Sequence, residues 1–262
     1  MSTTIDPRAA VSAKAQIADY VSIGPFAIVE DDVVIGEGCV IGGNVLLAGG
    51  TRLGKECHVH HGAVIGSVPQ DLKFRGEVTT AEIGDHTTVR EYATISRGTS
   101  ANLKTVVGHH CFLMAYMHIA HDCIIGNHVI LANSVNMGGH VTIEDHVVVG
   151  GIVAIHQYCR IGRHAMIGGG FRVSKDVPPY ILAGHEPIVY QGLNVVGLRR
   201  RNISPETIVH IEKAYYHIYH EKLNVSQAMD AIRSEGEPCE EVKHIIEFIE
   251  HSKRGIIPSF RK

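Results

Sequence analysis

An apolar residue recurs at every sixth position from Ile5 through Val11, Ile17 and Ile23 to Ile65, returns at Ile83, Val89 and Ile95, and resumes from Val107 through Ile119, Ile125 and Met137 to Val173. An α-helix repeats near 3.6 residues and a strand near 2, so a strict six suits neither over a long run. It does suit a coil made of short straight faces. On an extended face, residues two apart share a side. Two places before the apolar residue the side chain is usually small or β-branched, as at Ala27, Val33, Cys39, Cys57, Ala93, Cys111, Cys123 and Cys159. Both positions then point inward. The remaining residues turn a corner, where glycine tolerates unusual dihedrals, and a glycine often follows the apolar residue, as at Gly24, Gly36, Gly54, Gly84, Gly108 and Gly126. Three such faces close a triangular coil of 18 residues. Coils of this kind stack through parallel ladders about 4.8 Å apart, so the pattern predicts a parallel β-helix. Strands of a sandwich would bring turn signals every ~8–12 residues instead.

The period breaks at 66–82 and 96–106, which are expected to loop out from a β-helix spanning 1–191. Loops on a rigid scaffold often carry function. Residues 192–262 read as a small α-helical domain. Ser204 before Pro205 is a helix start, and Ile208, Ile211, Tyr215, Ile218 and Tyr219 follow at helical spacing. Ser226 is a candidate cap for a second helix; Val242, Ile245, Ile246 and Ile249 mark a third, with Gly255 as its stop.

A formal net charge of −3 argues against nucleic acid or an anionic membrane as partner. No apolar run is long enough to span a bilayer, and the MSTTIDPRAA start does not read as a secretory signal. The cysteines form no CxxC pair, and a reduced, cytoplasmic protein is expected.

Residues 118–123 read HIAHDC, which suits a metal cluster, a thiol nucleophile or a general base. The repeat narrows this choice. Cys123 takes the small inward position and becomes core filler, whereas His121 and Asp122 fall at a corner. Residues one coil apart stack, so His121, Asp122, Gly139, His140, His156 and Gln157 should share one edge, with Gly139 directly against His121. Zinc in this kind of coil is held, in the γ-class carbonic anhydrases, by two histidines five apart plus one from an earlier coil. Here the positions five after His118 and His121 are Cys123 and Gly126. HxxHD on a β-corner also lacks the helical spacing that lets HExxH bind zinc. No metal is expected. His110, His128, His146 and His164 also recur by one coil and form a separate ladder, read as a solvated or interface-facing stack.

The hexads, PQDLKF at 69–74, HIAHDC, GGHV at 138–141, IHQYCRIG at 155–162, DVPPY at 176–180 and NVVGLRRR at 194–201 together resemble the UDP-N-acetylglucosamine O-acyltransferase family, over nearly the whole chain. The resemblance implies a left-handed coil, although crossovers are right-handed as a rule. It also implies a homotrimer with its sites between neighbouring prisms. The reaction implied is transfer of a 3-hydroxyacyl chain from acyl carrier protein to the 3-hydroxyl of UDP-N-acetylglucosamine, the first step of lipid A synthesis. No cofactor is implied beyond the phosphopantetheine that carries the donor. A sugar hydroxyl needs a base, and histidine, with an ordinary pKa of about 6.5, suits the task. By this matching His121 is the base, Asp122 orients it, and the Gly139 N–H meets the oxyanion. Gln70, Asp71 and Lys73 hold the sugar and phosphate side, while His118, His140, His156 and Gln157 line the cleft. Asn194 and Arg200 contact the nucleotide or carrier, and a basic patch at Arg199–Arg201 would steer an acidic carrier protein. Gly169 leaves the acyl groove open where a bulky residue would shorten it. Val196 departs from the family, which is typically acidic there. The rivals are an N-acyltransferase on an amino sugar nucleotide and a non-catalytic hexapeptide scaffold. The N-acyltransferase usually carries an N-terminal uridine-binding domain, which is not expected where hexads begin at Ile5. The scaffold predicts no aligned His/Asp/Gly edge.

Overall fold

The computed structural model describes residues 2–260. Its strands form three sheets of 11, 9 and 8 strands, and each coil contributes one strand to each sheet in turn. All strand pairs are parallel except a closing hairpin, Ile181–Gly184 against Val189–Leu193. The register follows the repeat: Ile119 pairs with Met137 and Met137 with Ile155. Ile119, Ile125, Met137 and Ile155 are buried, as are Cys39, Cys57, Cys111, Cys123 and Cys159. The first coil is the exception. Ile5 is exposed, and Val11 and Ile17 are only half-buried; among the described residues each has a coil packed on one side alone.

The corner glycines do a different job from the one expected. Gly36, Gly84 and Gly108 do not have positive φ. They serve close approach: a Cβ on Gly36 would lie 2.3 Å from the Gly54 carbonyl oxygen, and one on Gly108 would lie 2.6 Å from the Gly126 oxygen. The left-handed corner position falls two residues later and is filled mostly by larger side chains, among them Phe26, Asn44, Tyr92, Tyr116, Asp122, His128 and His140. Such residues carry backbone strain of roughly 1–2 kcal/mol each, offset by the ladder bonds on either side.

Because corner residues also stack, their rings form columns. His110, His128, His146 and His164 lie face to face with centroids 4.9, 4.7 and 4.8 Å apart. The column continues to His86 at one end and Tyr180 at the other. Spacing alone hid His86, since the 96–106 interruption shifts it out of phase.

Two excursions leave the coil, at 68–79 and 97–103, flanked by Val64–Ser67, Thr80–Ile83, Thr94–Ser96 and Lys104–Val107. They are shorter than the breaks in the repeat, because these flanking strands extend into them. Both leave from the same corner, between the second and third sheets, and so lie on one edge of the prism.

Helices follow the hairpin: α1 Val195–Arg200, α2 Pro205–Tyr219, α3 Val225–Ser234 and α4 Glu240–Glu250. Ser204 caps α2 as expected, its hydroxyl accepting from the Thr207 N–H at 3.0 Å. Asn224, not Ser226, caps α3, in a reciprocal box with Gln227; Ser226 lies inside the helix. Helix α4 ends at Glu250, ahead of Gly255. Its apolar stripe, Val242, Ile245, Ile246, Phe248 and Ile249, is buried. The Tyr215 hydroxyl donates to the Pro179 carbonyl at 2.6 Å and ties α2 to the last coil. Among the described residues no helix is long and apolar enough to cross a membrane.

Burial is the leading cause holding His128, His146 and His164 below the ordinary histidine value, with His164 at about 4. The unfolded chain titrates near 6.5. Protons therefore favour the unfolded state first, and the stability these groups contribute is present above about 6.5 and lost as pH falls toward about 4. Thermal melting followed from pH 7 to pH 5 should show the midpoint falling, with a shallower fall in His164→Gln. An equal slope in both proteins would contradict this assignment.

Candidate active site

The corner that releases the two excursions also carries His121 and Asp122. Asp122 adopts φ +60, a conformation aspartate accepts more readily than most residues. That turn buries its carboxylate, leaving Asp122 1% exposed. The 97–103 excursion surrounds it. The Thr99 N–H and the Asn102 N–H donate to Oδ1 at 3.0 and 3.2 Å. The Thr99 hydroxyl donates to Oδ2 at 2.6 Å. The Asp122 N–H in turn donates to the Thr105 hydroxyl at 2.9 Å. Thr99, Asn102 and Thr105 were not legible as site residues. The available signal was positional: the second interruption falls one coil before His121.

His121 Nδ1 lies 2.7 Å from Asp122 Oδ2. Burial pushes the Asp122 carboxyl up, but the Thr99 hydroxyl, the His121 ring and the Thr99 N–H together outweigh it and hold the group below its ordinary value. An ionised carboxylate only accepts, so Nδ1 carries the proton and Nε2 keeps a free lone pair.

One coil on, Gly139 lies against the ring as expected. A Cβ there would fall 2.5 Å from His121 Cε1 and 2.7 Å from Nε2. Among the described residues the Gly139 N–H has no acceptor. Gly139 is itself buried, with the His121 ring packed against its backbone. His140 stands edge-on to His121 at 5.2 Å and stacks on Tyr158 at 4.5 Å. Tyr158, one coil after His140, is a further cleft residue the sequence reading missed. Burial holds His140 below the ordinary value although Asp122 and Asp71 pull it upward. The influence of Asp71 brings the first excursion to this edge. There Asp71 Oδ1 accepts from the Lys73 N–H at 2.9 Å, while Gln70 and Lys73 are exposed. The Arg97 guanidinium sits over the Phe74 ring at 5.5 Å and links the two excursions. His118 faces out from the second sheet with Nδ1 2.7 Å from the Thr94 hydroxyl, and burial holds it below the ordinary value. His156 and Gln157 lie on the same edge two coils on, with the His156 Nδ1 3.0 Å from the Gln157 carbonyl.

Other residues from the sequence reading lie elsewhere in the single chain. Gly169 is on the opposite edge of the second sheet, stacked on Gly151, whose oxygen would be 3.0 Å from an added Cβ. Asn194 belongs to the edge of the histidine column. It caps α1, accepting from the Gly197 N–H at 3.1 Å and donating to the His164 carbonyl at 2.9 Å. Both ends of its amide are therefore engaged within the chain. Arg200 and Val196 lie exposed on α1, whose first turn has no acidic residue.

His121, Asp122 and His140 bring three ligand-type atoms within 4.8 Å of one another. Each Asp122 oxygen already accepts two bonds, Oδ1 from the Thr99 and Asn102 N–H groups and Oδ2 from the Thr99 hydroxyl and His121 Nδ1. A metal would have to displace the contacts that seat the carboxylate, so this set fits a base and its orienting partner better than a metal site.

Models of two families match the chain: "Udp N-acetylglucosamine O-acyltransferase; Domain 2" over 176–257, and "Bacterial transferase hexapeptide (six repeats)" over 14–49, 32–67 and 104–139. The acyl-[acyl-carrier-protein]--UDP-N-acetylglucosamine O-acyltransferase of Thermodesulfovibrio yellowstonii is 46% identical over 253 residues, covering 96% of this chain and 98% of that protein. The protein of the same name from Chlorobaculum parvum is 48% identical over 254 residues, covering 97% and 96%. The crystal structure of a UDP-N-acetylglucosamine acyltransferase from Bacteroides fragilis superposes with a TM-score of 0.95 at 46% identity, covering 97% of this chain and 100% of that one.

The packing of His121 on Gly139 has a direct consequence. In Gly139→Ala the methyl group collides with the ring, so the ring must move and its bond to Asp122 must lengthen. NMR of the imidazole protons should show the low-field Nδ1–H resonance shifted or lost while the melting temperature changes little. An unaltered resonance would mean that the ring does not rest on this backbone.

Proposed function

The chain belongs to the UDP-N-acetylglucosamine O-acyltransferase family, and from that premise we propose how its edge cluster performs the reaction. It transfers an acyl chain from acyl carrier protein to UDP-N-acetylglucosamine, the first step of lipid A biosynthesis. The observation that carries the mechanism is the His121–Asp122 pair at 2.7 Å, its imidazole packed on the backbone of Gly139. His121 Nε2 takes the proton of the sugar 3-hydroxyl as its oxygen attacks the thioester carbon. The negative charge that develops on the carbonyl oxygen is met by the Gly139 N–H. The intermediate collapses, the C–S bond breaks, and the imidazolium returns its proton to the departing pantetheine thiol. Asp122 holds the Nδ1–H throughout and stabilises the imidazolium. His118, His140, His156 and Gln157 line the cleft, and Gln70, Asp71 and Lys73 hold the sugar and phosphate side. Asn194 and Arg200 serve the nucleotide or carrier end.

This reading includes a left-handed coil, an α-helical unit that begins after the strand ending at Leu193 rather than at 192, and a homotrimer in the cytoplasm. Exposed Tyr92, Tyr116, Ile152 and Tyr158 along the prism edges support a covering neighbour. Asn194, Arg200 and Gly169 sit on other edges than His121, which fits sites completed between subunits. Free, buried cysteines fit a reducing compartment. No metal or organic cofactor takes part beyond the carrier's phosphopantetheine. The purified protein should sediment as a trimer without stoichiometric zinc and keep its activity in chelator. A fully active monomer, or activity lost on chelation, would contradict this reading.

In His121→Ala, turnover should fall by about 10²–10⁴, the usual contribution of a positioned base. Assayed with 3-hydroxyl and 3-amino acceptors, full retention with either would exclude this base. In Gly169→Met, donor preference should move toward shorter chains, because each excluded methylene forfeits about 0.8 kcal/mol, close to fourfold in affinity. An unchanged preference in the folded variant would separate Gly169 from the acyl groove.

A further inference from the structure

We propose that Thr99, on the 97–103 excursion, is a positioning residue for the acyl transfer: its hydroxyl and N–H hold the Asp122 carboxylate in the one orientation that serves His121. This rests on the reading of His121 as the base. Two imidazoles compete for the carboxylate. His121 Nδ1 lies 2.7 Å from Oδ2, and His140 Nε2 lies 3.7 Å from the same oxygen, too far for a hydrogen bond. A modest rotation of the carboxylate would reverse that order and leave His121 free to flip or change tautomer.

Thr99 blocks the rotation from both sides. Its N–H, with that of Asn102, fixes Oδ1 at 3.0 and 3.2 Å, and its hydroxyl fixes Oδ2 at 2.6 Å. The direction of that last bond is also set. The Thr99 hydroxyl oxygen accepts from the Ala101 N–H at 3.2 Å, so its single proton is free for Asp122. The relay runs from Ala101 through Thr99 to Asp122, which accepts from His121 in the opposite sense. An oxygen accepting two such bonds is ionised, and both donors are lost to it if it protonates. Thr99 is 6% exposed and Asp122 1%, so no solvent molecule stands ready to replace the hydroxyl. Asn102 contributes only its N–H to the carboxylate; its side-chain amide goes to the Asp122 carbonyl at 3.3 Å. Among the described residues the hydroxyl at position 99 is therefore the one side-chain donor, besides His121, to the carboxylate.

The test is steady-state kinetics across pH for the full-length enzyme, with acyl carrier protein thioester and UDP-N-acetylglucosamine. Thr99→Val keeps the N–H and the shape but removes the hydroxyl. It should lower kcat about 10- to 100-fold with both KM values within about threefold, the pattern of a misaligned base. The acid limb of its kcat/KM profile, which reports protonation of His121, should move to higher pH, because a carboxylate that has lost a donor holds the imidazolium more strongly. Thr99→Ser should return to within about threefold of the wild type. In an Asp122→Asn background Thr99→Val should cost nothing further, since it acts through that carboxylate. The proposal is overturned if Thr99→Val keeps kcat, changes only KM, leaves the acid limb in place, is not rescued by serine, or adds its full loss to Asp122→Asn. If Thr99→Val does not fold, Thr99→Ala is judged by the same criteria; if neither folds, the role is structural and the proposal fails. Full turnover in Asp122→Asn would instead remove the base reading itself.

Discussion

The molecule depends on the ladder of backbone hydrogen bonds that joins each coil to the next. The His118 N–H reaches the Val135 carbonyl at 2.8 Å, the Asn136 N–H reaches that of Val153 at 2.9 Å, and the same step repeats along each face. Such a bond is worth only about 0.5–1.5 kcal/mol net, but leaving it unmade inside the protein costs more. The ladder therefore holds its register, and the inward stack of Ile119, Met137 and Ile155 reinforces it. A slip of one residue would turn that stack outward. Register is also what makes the function possible. It converts a separation of one coil in sequence into contact in space, and so brings Gly139 against His121 and His140 against Tyr158.

The same corner geometry gives two different results on two edges. On one edge, left-handed residues build the column of His110, His128, His146 and His164, whose rings stack on one another. On the other, Asp122 has the same backbone turn but is wholly buried. The difference is the excursion. Among the described residues the coil makes no excursion at the corners of His110, His128, His146 and His164, whereas 97–103 folds over Asp122 and supplies hydroxyl and N–H donors. The excursion thus turns an ordinary corner carboxylate into one that orients a neighbouring imidazole. The other excursion, at 68–79, leaves from the same corner and brings Asp71 and Phe74 to the same edge.

Much of this was legible beforehand because β-structure with a fixed period behaves almost one-dimensionally. Spacing alone placed His121, Asp122, Gly139, His140, His156 and Gln157 on one edge, and moved Cys123 into the core. Where the period fails, the reading fails with it. The role of the corner glycines was mistaken because close approach between coils and a left-handed dihedral both favour glycine, and only coordinates separate them. Asn224 was passed over for Ser226 because both are good caps at neighbouring positions, and the reciprocal bond with Gln227 decides between them.

The sequence by itself determined the coil, its register and the stacking of residues one turn apart, because each follows from a periodicity that local sterics and burial enforce. It also placed His121 and Asp122 together on one edge with Gly139, through their spacing. Only the tertiary structure decided what surrounds that pair. The excursions carry no period, so no spacing rule says where Thr99 and Asn102 come to rest. They reach Asp122 because the chain leaves the coil and returns at the corner His121 occupies, and the bonds that then form depend on the path of the backbone through space.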